Sequence, residues 1–132
     1  MTKEKKLDKQ RMILVTQGKG IFKFDETNIP FRAGSLVFGF EGEFFSVSPA
    51  ESCEYLYLSF EGTRANTLFH HLDINKAHRK FDGFEGLIPL WLESLSNASE
   101  QTVELAAEGI LLYTFSRLPL DTKLQIGPIN QV

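Results

Sequence analysis

Histidine is the residue type best suited to metal binding or acid-base catalysis at neutral pH, and this chain has three of them. His70 and His71 are adjacent, so they point to different sides of the helix that we predict for this segment. His78 follows in a predicted loop, with no acidic partner at a spacing diagnostic of a metal site. We therefore predict neither a bound metal nor a cofactor.

Two carboxylates can act together as a general acid and a general base. Glu41 and Glu43 have the spacing of residues on one face of a strand. Gly42 stands between them and instead indicates a turn. We expect both carboxylates to be solvated charges of a hairpin loop.

Cys53 and the segment Gly18-Lys19-Gly20 are the remaining candidates for covalent or phosphate chemistry. Cys53 has no histidine near it in the sequence, and no serine lies in a Gly-x-Ser-x-Gly pattern. We predict that this thiol is buried as a small apolar side chain. The Gly-Lys-Gly segment lacks the following helix of a phosphate loop and is interpreted as a hairpin turn. We assign no catalytic residue and do not expect an enzyme.

Charge and composition exclude several further classes of function. The net charge of -3 provides no basic surface of the kind that binds DNA. A single cysteine cannot form an intrachain disulfide, which favours the cytoplasm. No apolar run is long enough for a signal peptide or a bilayer span, so we expect no membrane association.

The first half of the chain has the alternating pattern of β-strands. Between Val15 and Phe40, apolar residues alternate and are interrupted at short intervals by Gly, Asn and Pro. These intervals leave no room for crossover helices, so the pattern predicts a closed antiparallel barrel or a sandwich. The predicted strands are Met12 to Thr16, Ile21 to Asp25, Ile29 to Arg32, Ser35 to Phe40, Phe44 to Ser48 and Cys53 to Phe60.

After Gly62 the apolar residues recur with the period of a helix. We predict a helix from Thr63 to Leu72, a loop from Asp73 to Gly86, and helices from Pro89 to Leu95 and from Ser99 to Leu118. The last helix has one apolar stripe, for which we predict a dimer interface: Val103, Ala107, Ile110, Leu111 and Thr114.

The chain is expected to form one domain, mainly β with C-terminal helices. Residues 1–10 are a charged and solvated N-terminal segment, and residues 11–62 form the barrel. Residues 63–118 form helices that pack on the barrel and dimerise, and residues 119–132 are a linker or an edge segment.

Twelve phenylalanines against one tryptophan are the compositional peculiarity of this chain. Two tyrosines on one strand face would each need a hydrogen-bond partner if they were enclosed, so a partly open ligand cavity is favoured over a filled core. We predict that this cavity is lined by Phe22, Phe24, Phe38, Phe45, Val47, Tyr55 and Tyr57.

Three motifs occur in an order that is similar to that of a known family. They are Gly18 and Gly20 after a strand, the turn Ala33-Gly34-Ser35, and an aromatic strand that ends at Gly62 before a helix. The segment from Val15 resembles the first half of a cupin barrel. The segment YLYLSFEGTRANTLFHHL resembles its continuation in the sensor domains of AraC-type transcription regulators.

The resemblance covers 11–118 and implies a cupin-like jelly roll that senses a small molecule and dimerises. The effector would be a sugar or another polar metabolite. DNA would be bound by a helix-turn-helix domain that is not present in this chain. Cupin enzymes hold a metal through histidines on the strands after the Ala-Gly turn, whereas this chain has Phe45 there, which argues against metal-dependent chemistry.

Two alternatives remain open. The chain could be a stand-alone small cupin, such as a metal-independent isomerase or lyase, whose turnover disappears when Tyr55 or Glu54 is removed. It could also be a structural barrel with a filled core that only dimerises a regulator.

Overall fold

The computed structural model describes residues 3–60, 63–99 and 102–118. Eight strands are present in this part of the chain: β1 (Lys5–Lys6), β2 (Gln10–Gln17), β3 (Lys19–Phe24), β4 (Thr27–Arg32), β5 (Leu36–Gly39), β6 (Phe44–Pro49), β7 (Glu54–Phe60) and β8 (Lys80–Phe81). Its helices are α1 (Thr63–His71), α2 (Ile88–Ser96) and α3 (Val103–Ser116), with a 3-10 helix at Glu85–Leu87.

The strands form two antiparallel four-stranded sheets, with the orders β1-β6-β3-β4 and β7-β2-β5-β8. Apart from the β3–β4 hairpin, successive strands from β1 to β7 lie in alternate sheets. This arrangement is compatible with a β-sandwich, and the prediction of a mainly β fold with C-terminal helices is confirmed.

Strand β2 explains why the chain has two apolar clusters. Its residues from 11 to 15 are all buried, and alternation sends them to opposite faces of the sheet. Ile13 and Val15 belong to the inter-sheet cluster, which comprises Leu7, Ile13, Val15, Phe22, Phe24, Phe31, Val37, Phe45 and Val47. Met12 and Leu14 belong to the helix-side cluster, which also contains Leu36, Phe38, Leu58, Phe69, Ile74, Phe84, Leu87, Trp91, Ile110, Phe115 and Leu118.

Trp91 anchors the helices in the helix-side cluster. It is fully buried, and its Nε1 donates a hydrogen bond to Thr114 Oγ1 at 3.2 Å, which joins α2 to α3. Helix α2 spans the predicted segment, with Pro89 in its first turn. Helix α3 begins at Val103 rather than at Ser99, because Thr102 is its N-cap residue.

The prediction that residues 1–10 are merely solvated is wrong for part of this segment. Strand β1 pairs with β6, and Leu7 is buried in the inter-sheet cluster. The Leu7 N–H donates to Glu43 O, and the Gly42 N–H donates to Leu7 O, each at 2.8 Å. The segment is therefore held by strand pairing together with the buried side chain of Leu7. The predicted segment 119–132 lies outside the described residues.

The predicted loop from 73 to 86 also contains more structure than expected. Strand β8 pairs with β5, and Ser35 Oγ donates a hydrogen bond to Asp82 Oδ1. Lys80 Nζ lies 3.4 Å from Asp82 Oδ2, and Arg32 Nε lies 4.0 Å from Oδ1. Asp82 therefore joins the loop to the β4–β5 turn.

We expect the free energy of unfolding of the Asp82→Asn variant to fall less than that of the native chain when the pH is lowered. Burial raises the pKa of Asp82, but the Ser35 hydrogen bond and the charges of Lys80 and Arg32 outweigh burial and hold that pKa below its ordinary value. The ionised carboxylate thus stabilises the fold above the unfolded-state pKa of about 4, and this contribution is lost as the pH falls through the lower folded-state pKa.

Urea unfolding from about pH 6 to about pH 3 measures this contribution. Asp8→Asn, which changes an exposed carboxylate, is the matched control. Indistinguishable pH profiles for the two variants would contradict a stabilising role of Asp82.

Candidate functional site

Five of the seven predicted ligand-binding residues meet between the two sheets. They are Phe22, Phe24, Phe45, Val47 and Tyr55, all in or against the inter-sheet cluster. The Phe22 ring is central, since its centroid lies 4.2 Å from that of Phe31, 5.5 Å from that of Phe45 and 5.4 Å from that of Tyr55. The middle of the space between the sheets is thus occupied by rings in mutual contact.

Phe38 is not part of this group, and its assignment to the same cavity is wrong. It packs in the helix-side cluster, where its ring centroid lies 5.5 Å from that of Phe69 and 5.9 Å from that of Phe115. Its neighbour Val37 faces the inter-sheet cluster instead. Because β5 is buried on both faces, its apolar sequence did not reveal which residues point inward.

An arginine, a phenylalanine and two tyrosines lie together at the β7 edge of the inter-sheet space. Tyr57 belongs to the edge strand β7 and remains 48% exposed. The Arg11 guanidinium carbon lies 4.0 Å from the Tyr57 ring centroid and 5.9 Å from the Phe45 ring centroid. The register pairs Tyr57 with Ile13 and Tyr55 with Val15, so both tyrosines share the face of Arg11. We call Arg11, Phe45, Tyr55 and Tyr57 the Arg11 mouth.

The polar groups of the Arg11 mouth differ in exposure, since Arg11 is buried, Tyr55 is half-buried and Tyr57 is exposed. Arg11 is only 9% exposed, and its Nε is buried without a hydrogen-bond partner among the described residues. Burial raises the pKa of Tyr55, and the nearby positive charge of Arg11 opposes this only in part. Tyr55 therefore presents a neutral hydroxyl at neutral pH, and Arg11 presents a permanent positive charge.

Glu43 is a structural ion-pair partner, so the prediction that it is a solvated loop charge is wrong. Glu43 and Arg79 each have a side chain only 2% exposed. Arg79 Nη1 donates to Glu43 Oε1 at 3.1 Å, and Nη2 donates to Oε2. The Phe40 N–H also donates to Oε1, at 2.8 Å. Glu41 is exposed as expected, so the two carboxylates do not form a catalytic pair.

The other candidates for chemistry do not assemble into a site. His70 and His71 lie in the last turn of α1, and His78 Nδ1 is 2.9 Å from Asp73 O. Within 3–60, 63–99 and 102–118, no group of three or more His, Cys, Asp or Glu residues could hold a metal ion. Cys53 is half-buried and packs against the inter-sheet cluster.

Four of the five residues predicted as a dimer interface are buried or half-buried within the protein itself. Ile110 and Thr114 lie on the buried side of α3, so they are not available to a second subunit. Ala107 and Leu111 are half-buried against the helix-side cluster, and the side chain of Val103 lies outside the described residues. The prediction is therefore wrong for Ile110 and for Thr114, which accepts a hydrogen bond from Trp91 of α2.

The outer surface of the helices has its own apolar features. A groove of about 570 Å³ runs between α2 and α3, lined by residues that include Leu87, Leu90, Gly109 and Tyr113. Tyr113 is 48% exposed, and Leu92 on α2 is also exposed.

Sequence reasoning missed Arg11 and Arg79, the two arginines that are buried among the described side chains. Arg11 lies two and four positions before Ile13 and Val15, so all three share one face of β2. Because β2 is buried on both faces, this alternation could have identified Arg11 as an inward-pointing charge. Arg79 lies in a loop, and nothing in its neighbours indicated a partner at position 43.

No protein-family model matches this chain, and no curated protein matches it by sequence. None of the helices in the described ranges is long and apolar enough to cross a membrane. A function therefore has to be inferred from the site itself.

Proposed function

We propose that this chain is the small-molecule-sensing and dimerisation domain of an AraC-type bacterial transcription regulator. The observation that carries the proposal is the Arg11 mouth, where a charged group and two hydroxyl groups border an aromatic space. Ligand sites are typically apolar clefts with a few well-placed polar groups. The proposal includes no catalytic step, and the regulator would act in the cytoplasm.

The path of the chain supports the cupin-like part of the proposal. A jelly roll has eight strands in two sheets. The described residues provide eight strands in two four-stranded sheets, with helices packed against the outer face of one sheet. Because one fold can host many functions, this likeness supports the architecture and leaves the function to the site.

A ligand at the mouth would lie close to the helical layer. Tyr57 stands on β7, and Phe60 of the same strand packs from the other sheet face against Phe69 of α1, at a ring-centroid distance of 5.6 Å. An effector that holds β7 against Phe45 of the opposite sheet would thereby bias the position of α1. In the full-length regulator this bias would alter the relative placement of two DNA-binding domains.

Thermal unfolding with a library of sugars, organic acids and other polar metabolites tests the sensing function. A ligand at a hundred times its Kd should raise the free energy of unfolding by about 2.7 kcal/mol. No stabilisation by any compound would instead favour a filled core without a sensing role.

We expect Tyr113→Glu to weaken the dimer and so to lower the average molar mass that light scattering reports at high protein concentration. In the proposed dimer, Tyr113 and Leu92 are large exposed apolar side chains that a second copy would cover. A charge introduced there would be buried in the interface without a partner.

Light scattering over a range of concentrations measures this effect. Ser116→Glu, which adds the same charge at another exposed position of α3, is the matched control. A native chain that is a strict monomer at every concentration would contradict the dimer.

A further inference from the structure

We propose that the Arg11 mouth binds a carboxylate, and that the effector is a small organic acid with an apolar body. This inference rests on the proposed sensing function and deepens it by naming the chemical class of the ligand.

The hydrogen bonding of Arg11 is incomplete within the described part of the chain. A guanidinium group is always charged at physiological pH and carries five N–H donors in one plane. Arg11 is nine-tenths buried, and its Nε has no partner among the described residues. A buried charge without full compensation is unfavourable, and an anionic ligand would supply the missing acceptor.

Arg79, also buried, shows how this fold satisfies a guanidinium group. The Arg79 guanidinium carbon lies 4.5 Å from the Phe24 ring centroid and 5.1 Å from that of Phe40, while Glu43 fills its plane with two oxygens. Arg11 has equivalent rings in Tyr57 and Phe45. Rings occupy the faces of a guanidinium group and leave its in-plane donors for a carboxylate. A ligand carboxylate at Arg11 would complete the arrangement that Arg79 already has.

A second positive charge lies on the same sheet face as Phe45 of the mouth. Lys5 is the cross-strand partner of Phe45, so it lies on the same sheet face and adds a second, exposed positive charge. Two positive charges at one edge attract an anion from solution. A neutral sugar would leave the charge of Arg11 uncompensated.

The walls of the mouth define the rest of the ligand. The exposed Tyr57 and the half-buried Tyr55 offer aromatic surface beside Arg11, which suits an apolar body. Phe22 and Phe31 stack at 4.2 Å in the middle of the same space, so the ligand must be small and lie near the edge. Because Arg11 is nine-tenths buried, desolvation beside it would cost a doubly charged phosphate group more than a singly charged carboxylate, which favours a monocarboxylate.

Isothermal titration calorimetry with the full chain tests the inference. The probes are propionate, benzoate and phenylacetate, each compared with its neutral amide of the same shape. At least one acid should bind about tenfold or more tightly than its amide, because the charge-assisted contacts require the carboxylate. The inference is overturned if no acid binds more tightly than its amide.

Variants of Arg11 link the binding to this residue. Arg11→Met should weaken acid binding at least about tenfold and leave the melting temperature unchanged or higher, because it removes a charge that lacks full compensation. Arg11→Lys keeps the charge but loses the planar fork, so it provides a second test if Arg11→Met does not fold. Arg32→Met is the matched control, since the side chain of Arg32 is largely exposed. Unchanged acid affinity in either Arg11 variant overturns the inference.

The binding experiments can contradict the carboxylate site without contradicting the proposed sensing function. A neutral metabolite that stabilises the native chain and Arg11→Met equally would preserve the sensing function and overturn the carboxylate site. No binding by any acid or neutral metabolite would overturn both.

Discussion

Arg79→Met is expected to lower the free energy of unfolding by about 3–5 kcal/mol, because it leaves the charge of Glu43 buried without its partner. Both side chains are almost inaccessible to solvent, and their paired hydrogen bonds connect positions 36 residues apart. Arg79 also donates to Phe38 O at 3.4 Å, so the substitution affects β5 as well.

The double variant Glu43→Gln/Arg79→Met should recover a large part of this loss. Glutamine is neutral and retains an acceptor for the Phe40 N–H. Urea unfolding of the native chain, the two single variants and the double variant completes a double-mutant cycle. Arg32→Met, at an exposed ion pair, is expected to change stability by no more than about 0.5 kcal/mol. An equally small change for Arg79→Met would show that the buried pair does not hold the loop to the sheets.

Phe22→Ala is the second large effect, with an expected loss of about 3–5 kcal/mol. Phe22 is fully buried, and its ring contacts three other rings at centroid distances between 4.2 and 5.5 Å. Truncation would remove these contacts and leave a cavity that the two sheets cannot close.

Phe44→Ala is the matched control, since Phe44 is a phenylalanine on β6 with 44% of its surface exposed. Its loss is expected to be below about 1 kcal/mol, because little apolar surface returns to water. The two variants are compared by urea unfolding. Equal losses would contradict a packed aromatic centre between the sheets.

These two effects also separate the centre of the inter-sheet space from its edge. The centre, around Phe22, contributes packing, whereas the edge contains the charge of Arg11, whose Nε has no hydrogen-bond partner in the described part of the chain. A ligand site at the edge is compatible with a well-packed centre.

The sequence was sufficient to predict β2 to β7 and the three α-helices, but not the two-residue strands β1 and β8, because the patterns of the longer elements are local. Alternation located β2 to β7 to within a few residues, and Pro89 together with the helical period located α2. The short strand β8 was missed because two residues are too few to show a period.

The sequence was not sufficient to decide which partner each buried side chain would find. Phe38 and Val37 are both apolar on a strand buried on both faces, so alternation could not assign either to a sheet face. Glu43 looked solvated because Arg79 is distant in the sequence. Thr114 of α3 looked unpartnered because its contact with Trp91 of α2 depends on the tertiary fold.

The most direct measurement is a proton–nitrogen NMR titration that follows the Arg11 Nε–H signal, assigned by its loss in Arg11→Lys. Addition of benzoate, or of whichever acid binds most tightly in calorimetry, should shift this signal saturably, while the matched amide leaves it in place. An Nε–H signal that remains unchanged while an acid binds the chain would show that Arg11 is not the ligand-binding group and would contradict the account.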